Sequence, residues 1–177
     1  PASTLATMAA WGGITSLATL PNTQPVIDDQ SLVEFIAREA RKIGLVKIFP
    51  YAAATRGLQG KELTEMGLLA GVGAVGFSDG VKAIANAQVM RLALSYARTF
   101  DQLIVQHAEE PSLANDAGMN ECEWATRLGL PGIPATAEVI MVERDLRLLE
   151  LSGSRLHFAH VSTADSIDAI RKAKIRG

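Results

Sequence analysis

Leu103-Ile104-Val105-Gln106-His107-Ala108-Glu109 and Arg155-Leu156-His157-Phe158-Ala159-His160-Val161-Ser162 decide how this chain is read. Each run is short and mostly apolar, and each carries a histidine near its end. A helix-patterned stretch separates them, so they read as neighbouring strands of a parallel sheet. In parallel α/β folds the carboxyl ends of the strands are where chemistry is placed. Imidazole is the commonest side-chain metal ligand. The chain has three histidines, and two of them stand at such ends. A pair of core or hydrogen-bonded histidines is the alternative reading.

Outward from these runs, residues 14–20, 47–54 and 74–79 are further strand candidates, bounded by Gly, Pro or polar residues. Leu32, Phe35, Ile36, Ala40 and Ile43 recur at helical spacing, as do Val89, Met90, Ala93, Leu94, Ala97 and Phe100. A third helix is expected from Pro134 to about Leu151, stopped by Ser152-Gly153. A last helix starts near Thr163 and ends in Arg171-Lys172-Lys174-Arg176, a basic turn that complements a helix C-terminus. The order is a helix followed by five βα repeats, which implies a parallel sheet. Such a set of strands makes either an open sheet or an arc of a (β/α)8 barrel, and composition does not separate the two. The connection from Pro111 to Pro134 is long for this architecture, with room for a short helix over 120–128; long loops after strands tend to be functional lids or binding loops, or else disordered.

The 177 residues suffice for one domain with a real core. Hydrophobic residues make up 48%, charged residues 20%, and the net charge is −2, which gives no electrostatic footprint for nucleic acid or an anionic membrane. No apolar run of 18 residues is present, so no membrane span is expected. A single cysteine, Cys122, excludes an internal disulfide framework and suits a reducing compartment. With no signal-peptide pattern after Pro1, the expectation is a cytoplasmic protein, and the missing initiator methionine suggests a chain that begins inside a longer one.

Strand alternation sharpens the site. His157 and His160 are three apart, so in an extended strand they face opposite ways. His160, nearer the carboxyl end, is the better ligand candidate; His157 is expected to be structural, with a hydrogen bond inside the wall. The preceding strand ends Phe77-Ser78-Asp79-Gly80, and a carboxylate there is the right kind of third ligand for an ion held by two imidazoles. An Asp-Gly pair is also an ordinary turn signal. The first strand runs into Leu20-Pro21-Asn22-Thr23-Gln24-Pro25, a stiff loop where the Asn22 amide either offers a donor and an acceptor to a ligand or holds its own backbone.

Leu20–Asp29, Phe77–Gly80, Val105–Leu113, Met119–Pro134, Glu143-Arg144-Asp145 and His157–Thr163 together resemble dihydroorotase, in the order and at about the spacing of that family. The resemblance covers nearly the whole chain. It implies the (β/α)8 barrel of the amidohydrolase superfamily, represented by an incomplete arc of about five βα units in a single domain over 1–177. It implies one or two zinc ions and a metal-assisted, reversible hydrolysis of L-dihydroorotate to N-carbamoyl-L-aspartate in pyrimidine synthesis; allantoinases and hydantoinases are relatives. His107 and His160 match histidine ligands, Asp79 the strand-end carboxylate that bridges the metals in one class, and Asn22 the asparagine that holds the substrate carboxylate. Other superfamily members place a carboxylated lysine where Asp79 stands; Lys82 lies beyond that strand. Cys122 and Trp124 depart from the usual pattern, with Trp124 expected to cap the site or pack the loop. The family's first-strand His-x-His pair and last-strand catalytic aspartate match no segment of these 177 residues. The second reading is a non-catalytic dihydroorotase-like subunit supporting aspartate transcarbamoylase; a homodimer is a further possible assembly.

Overall fold

Strands that are apolar on both faces must be covered on both, and amphipathic helices between them supply one cover. The computed structural model describes residues 2–114 and 117–177. In chain order its elements are α1 (Ala2–Trp11), β1 (Ser16–Thr19), α2 (Gln30–Ile43), β2 (Lys47–Pro50), β3 (Ala52–Ala53), α3 (Met66–Gly71), β4 (Phe77–Ser78) and α4 (Ala87–Thr99). There follow β5 (Leu103–His107), α5 (Pro111–Ala114), β6 (Met119–Asn120), α6 (Glu123–Leu128), β7 (Gly132–Ile133), α7 (Thr136–Ser152), β8 (Arg155–Ala159) and α8 (Ala164–Arg176).

Every strand pair is parallel. The main sheet runs β3-β4-β5-β8, and β1 pairs with β2. The two sheets share one stretch of backbone. Tyr51 donates its N–H to Thr19 at 2.9 Å, and the next residue, Ala52, donates to Gly76 at 3.0 Å. The run 47–53 therefore leans on β1 with its first half and on β4 with its second. The five expected strands form a parallel arc in chain order, as the alternation of buried runs and amphipathic helices requires.

The helices stop and start where local chemistry dictates. Asp29 caps α2 by accepting from Ser31 N–H, and Asn86 caps α4 by accepting from Gln88 and Val89. Gly153 ends α7 in the left-handed region at φ 61, where a Cβ would be disfavoured. α7 begins at Thr136 rather than at Pro134, although the Ala137 N–H already bonds to Pro134 O at 2.9 Å. Between sheet and helices lies a core that includes Met66, Phe77, Met90, Leu94 and Ile104, all with no exposed surface. A second cluster, Met141, Val142 and Leu146, joins α7 to Phe158 of β8 and Ile170 of α8. The long connection after β5 holds the short parallel pair β6–β7 with α6 across it. Trp124 on α6 is 62% exposed, with the Arg127 guanidinium 5.1 Å from its ring centroid. Among the described residues α6 turns it to solvent, with a cation–π contact on its ring.

Candidate metal centre

β5 delivers His107 and β8 delivers His160 to the same place. Register pairs Val105 with His157 and His107 with Ala159, so these four share one face of the sheet. The opposite face meets the helices: Ile104 and Leu156 enter the core, and Gln106 reaches Asp145 of α7. By strict alternation His157 would join His107 and His160 would turn to the helix side. The backbone overrides alternation. His160 stands at φ 40, a conformation in which a non-glycine residue is strained. The turn brings its Nε2 to 3.1 Å from Nδ1 of His107, with ring centroids 4.8 Å apart.

His157 is left exposed on the face that also carries His107, and among the described residues it makes no side-chain hydrogen bond, so the bond expected of it is not found there.

His107 is biased towards its neutral form. Burial lowers the His107 pKa and the neighbouring His160 lowers it further, outweighing the opposite pull of Glu109. A neutral imidazole keeps the lone pair that a metal needs. On the other side of the ring, His107 Nε2 lies 3.6 Å from a Glu109 carboxylate oxygen. His107 thus presents Nδ1 to His160 and Nε2 towards a carboxylate, as metal-bound histidines oriented by an outer carboxylate do. Two nitrogens on one tetrahedral zinc at about 2.0–2.1 Å stand about 3.3 Å apart. The observed 3.1 Å fits two corners of such an ion.

Asp79 is placed differently. It ends β4 almost completely buried, and both its oxygens are taken by Thr55: Oδ1 accepts from the Thr55 N–H at 2.9 Å and Oδ2 from its hydroxyl. Burial raises its pKa against the opposing effect of these bonds and of Lys82. Among the described residues no three His, Cys, Asp or Glu side chains gather as a metal site. The structure thus brings the two histidines together and does not gather Asp79 with them.

Asn22, exposed in the loop after β1, meets the same strand end from the other side. Gly80 has φ +70, and a Cβ there would come within 3.0 Å of the Asn22 Cβ and 3.2 Å of its Oδ1. The missing side chain at Gly80 is the seat of Asn22. Lys82, set aside in the sequence as lying beyond the strand, lines a cavity of about 560 Å³ together with His107 and Glu109. Thr55 was not legible as a site residue at all; its only sequence signal is a buried position next to a strand.

A parallel βα arc with an imidazole pair at its carboxyl ends defines a barrel fragment with the makings of a metal centre. Residues 1–166 match the family described as Dihydro-orotase-like, and the chain belongs to that family. It is 48% identical over 172 residues to a dihydroorotase of Syntrophobacter fumaroxidans, covering 97% of this chain and 39% of that protein. A dihydroorotase of Syntrophus aciditrophicus is 47% identical over 169 residues, covering 96% and 40%. The chain therefore spans 39–40% of the length of these curated relatives. Among solved structures, the L-hydantoinase (dihydropyrimidinase) of Arthrobacter aurescens matches with a TM-score of 0.71 at 22% identity over 97% of this chain and 40% of that one. The dihydropyrimidinase of Brevibacillus agri NCHU1002 gives 0.70 at 19% identity over 97% and 39%. At such identities the likeness is one of fold, an arc of the amidohydrolase (β/α)8 barrel.

Proposed function

We propose that this chain supplies part of the active site of a zinc-dependent dihydroorotase, which interconverts L-dihydroorotate and N-carbamoyl-L-aspartate in cytoplasmic pyrimidine synthesis. The observation that carries the reading is the 3.1 Å approach of His107 Nδ1 to His160 Nε2 at the ends of adjacent parallel strands, in a chain of this family. No described helix is long and apolar enough to cross a membrane.

His107 and His160 would hold zinc through the nitrogens that now face each other, while Asp79 stays bound to Thr55 and is not gathered with them. When bound, the ion supplies Lewis acidity and lowers the pKa of water. The chain's own residues do the rest of what can be derived. Burial and the His160 neighbour keep the His107 imidazole neutral, and Glu109 faces its other nitrogen. Thr55 fixes the orientation of the Asp79 carboxylate through both oxygens. Asn22, seated on Gly80, presents an amide that can both donate to a substrate carboxylate and accept from a ring N–H. Lys82 places a cation at the cavity shared with His107, suited to an anionic substrate.

The test is the full-length protein, loaded with zinc and assayed in parallel against L-dihydroorotate, N-carbamoyl-L-aspartate, hydantoin and allantoin. Turnover should be largest with the first two, and substitution Asn22→Ala should raise KM for them. Preference for hydantoin or allantoin would move the protein to a sister activity. No turnover with any cyclic amide would favour a non-catalytic subunit, for which association with aspartate transcarbamoylase is then the assay.

A further inference from the structure

The turn that carries His160 is gripped from another helix. Glu138, in the first turn of α7, accepts four hydrogen bonds from two consecutive residues just past His160. Its Oε2 receives the Ser162 N–H at 2.8 Å and the Ser162 hydroxyl at 2.9 Å. Its Oε1 receives the Thr163 N–H at 2.9 Å and the Thr163 hydroxyl at 2.6 Å. Thr163 in turn caps α8, accepting from the Ser166 N–H at 3.3 Å. Glu138, His107 and His160 line one cavity of about 90 Å³. A carboxylate offers about four acceptor positions, and all four are occupied. No lone pair remains for ligation or proton transfer, so its contribution is geometric.

That geometry falls where the backbone needs it. His160 departs from the strand at φ 40, and a conformation of this kind persists only when its surroundings over-determine it. We propose that Glu138 is the positioning residue for His160: by clamping Ser162 and Thr163 it holds the His160 turn so that the imidazole stays against His107. The consequence for zinc rests on the metal reading above; the imidazole geometry does not.

The experiment uses the full-length protein and the substitution Glu138→Gln, which replaces one acceptor oxygen by an NH2 facing two donors and so opens half the clamp. Ile170→Ala is the control: Ile170 packs against the Met141 and Leu146 cluster, so it lowers stability without touching the turn. Histidine-ring NMR of the metal-free protein reads the pair directly. Glu138→Gln should shift the His107 and His160 ring signals, and Ile170→Ala should leave them in place. Should Glu138→Gln fail to fold, Ser162→Ala, which removes one of the four bonds, should give a smaller shift in the same direction. In zinc-loaded protein, loss of metal to a chelator should be about tenfold faster in Glu138→Gln, at the low end of what outer-shell changes produce, and unchanged in Ile170→Ala. Ring shifts with no zinc bound even in wild type would uphold the positioning role and sink the metal reading. Ring signals identical in wild type, Glu138→Gln and Ser162→Ala would overturn the proposal.

Discussion

Substitution Asp145→Ala probes the network that ties the site's scaffold together. Asp145 on α7 is completely buried. Its Oδ1 accepts from Arg144 Nε at 2.8 Å and lies 2.6 Å from Arg144 Nη2, and its Oδ2 accepts from Gln106 Nε2 at 2.9 Å. Gln106 of β5 accepts the Ile84 N–H at 3.1 Å, and Arg144 donates to the carbonyls of Ile84 and Ala85. One carboxylate therefore joins α7, β5 and the loop that leads from Asp79 to α4. With charge centres about 4 Å apart and an effective dielectric constant near 20, the attraction is about 4 kcal/mol. Truncation leaves a guanidinium only 19% exposed beside an empty carboxylate site, and a Gln106 amide without its acceptor. Uncompensated buried charges of this kind cost about 3–5 kcal/mol. Burial pushes the Asp145 carboxyl up in spite of Arg144 and Gln106, so the intact pair is worth much less than its rupture costs. The double substitution Arg144→Met with Asp145→Leu should consequently recover most of the loss. Urea unfolding of the full-length protein, the single variants Arg144→Met and Asp145→Leu and the double variant gives the cycle, with a coupling of about 2 kcal/mol or more expected. A loss below about 1 kcal/mol for Asp145→Ala, or strictly additive effects, would refute the reasoning.

Substitution Gly80→Ala should strain a left-handed position and push Asn22 off its seat; about 1–2 kcal/mol of stability is at stake, and the KM for dihydroorotate should rise more than kcat falls. Thr55→Val removes the hydroxyl that donates to Asp79 and accepts from Gly60; a stability loss of about 1–3 kcal/mol should appear in urea unfolding. Burial alone would raise the Glu138 carboxyl, but the hydrogen bonds from Thr163 and Ser162 prevail and hold it at about 2, below its ordinary 4.5. A depressed carboxylate contributes stability above its unfolded pKa and loses it as pH falls towards the folded value, so metal-free protein should lose stability from about 4.5 to about 2, and Glu138→Gln should flatten that limb.

The arc was legible because buried parallel strands leave continuous apolar runs and their helices leave stripes; all five strand runs pair in parallel as their pattern implies. His107 was legible for the same reason, since a strand end next to a polar residue marks a mouth. The place of His160 at the carboxyl end favours it and alternation alone favours His157; the positive φ that turns the His160 ring to His107 has no signature in the residue itself. Thr55, Glu138 and the Gln106–Asp145 pair were invisible because their partners lie 24, 24–25 and 39 residues away, and only the folded sheet brings them together. The role of Trp124 had no decisive signal in the sequence; in the fold α6 turns it outward over Arg127.

The central claim is that His107 and His160 hold one metal ion. X-ray absorption of zinc in the full-length protein, compared with the His107→Ala variant, tests it most directly. Wild type should show imidazole nitrogens at about 2.0–2.1 Å, and the variant should lose one of them or lose the metal, with its fold retained by circular dichroism. An identical zinc environment and content in both proteins would contradict the account.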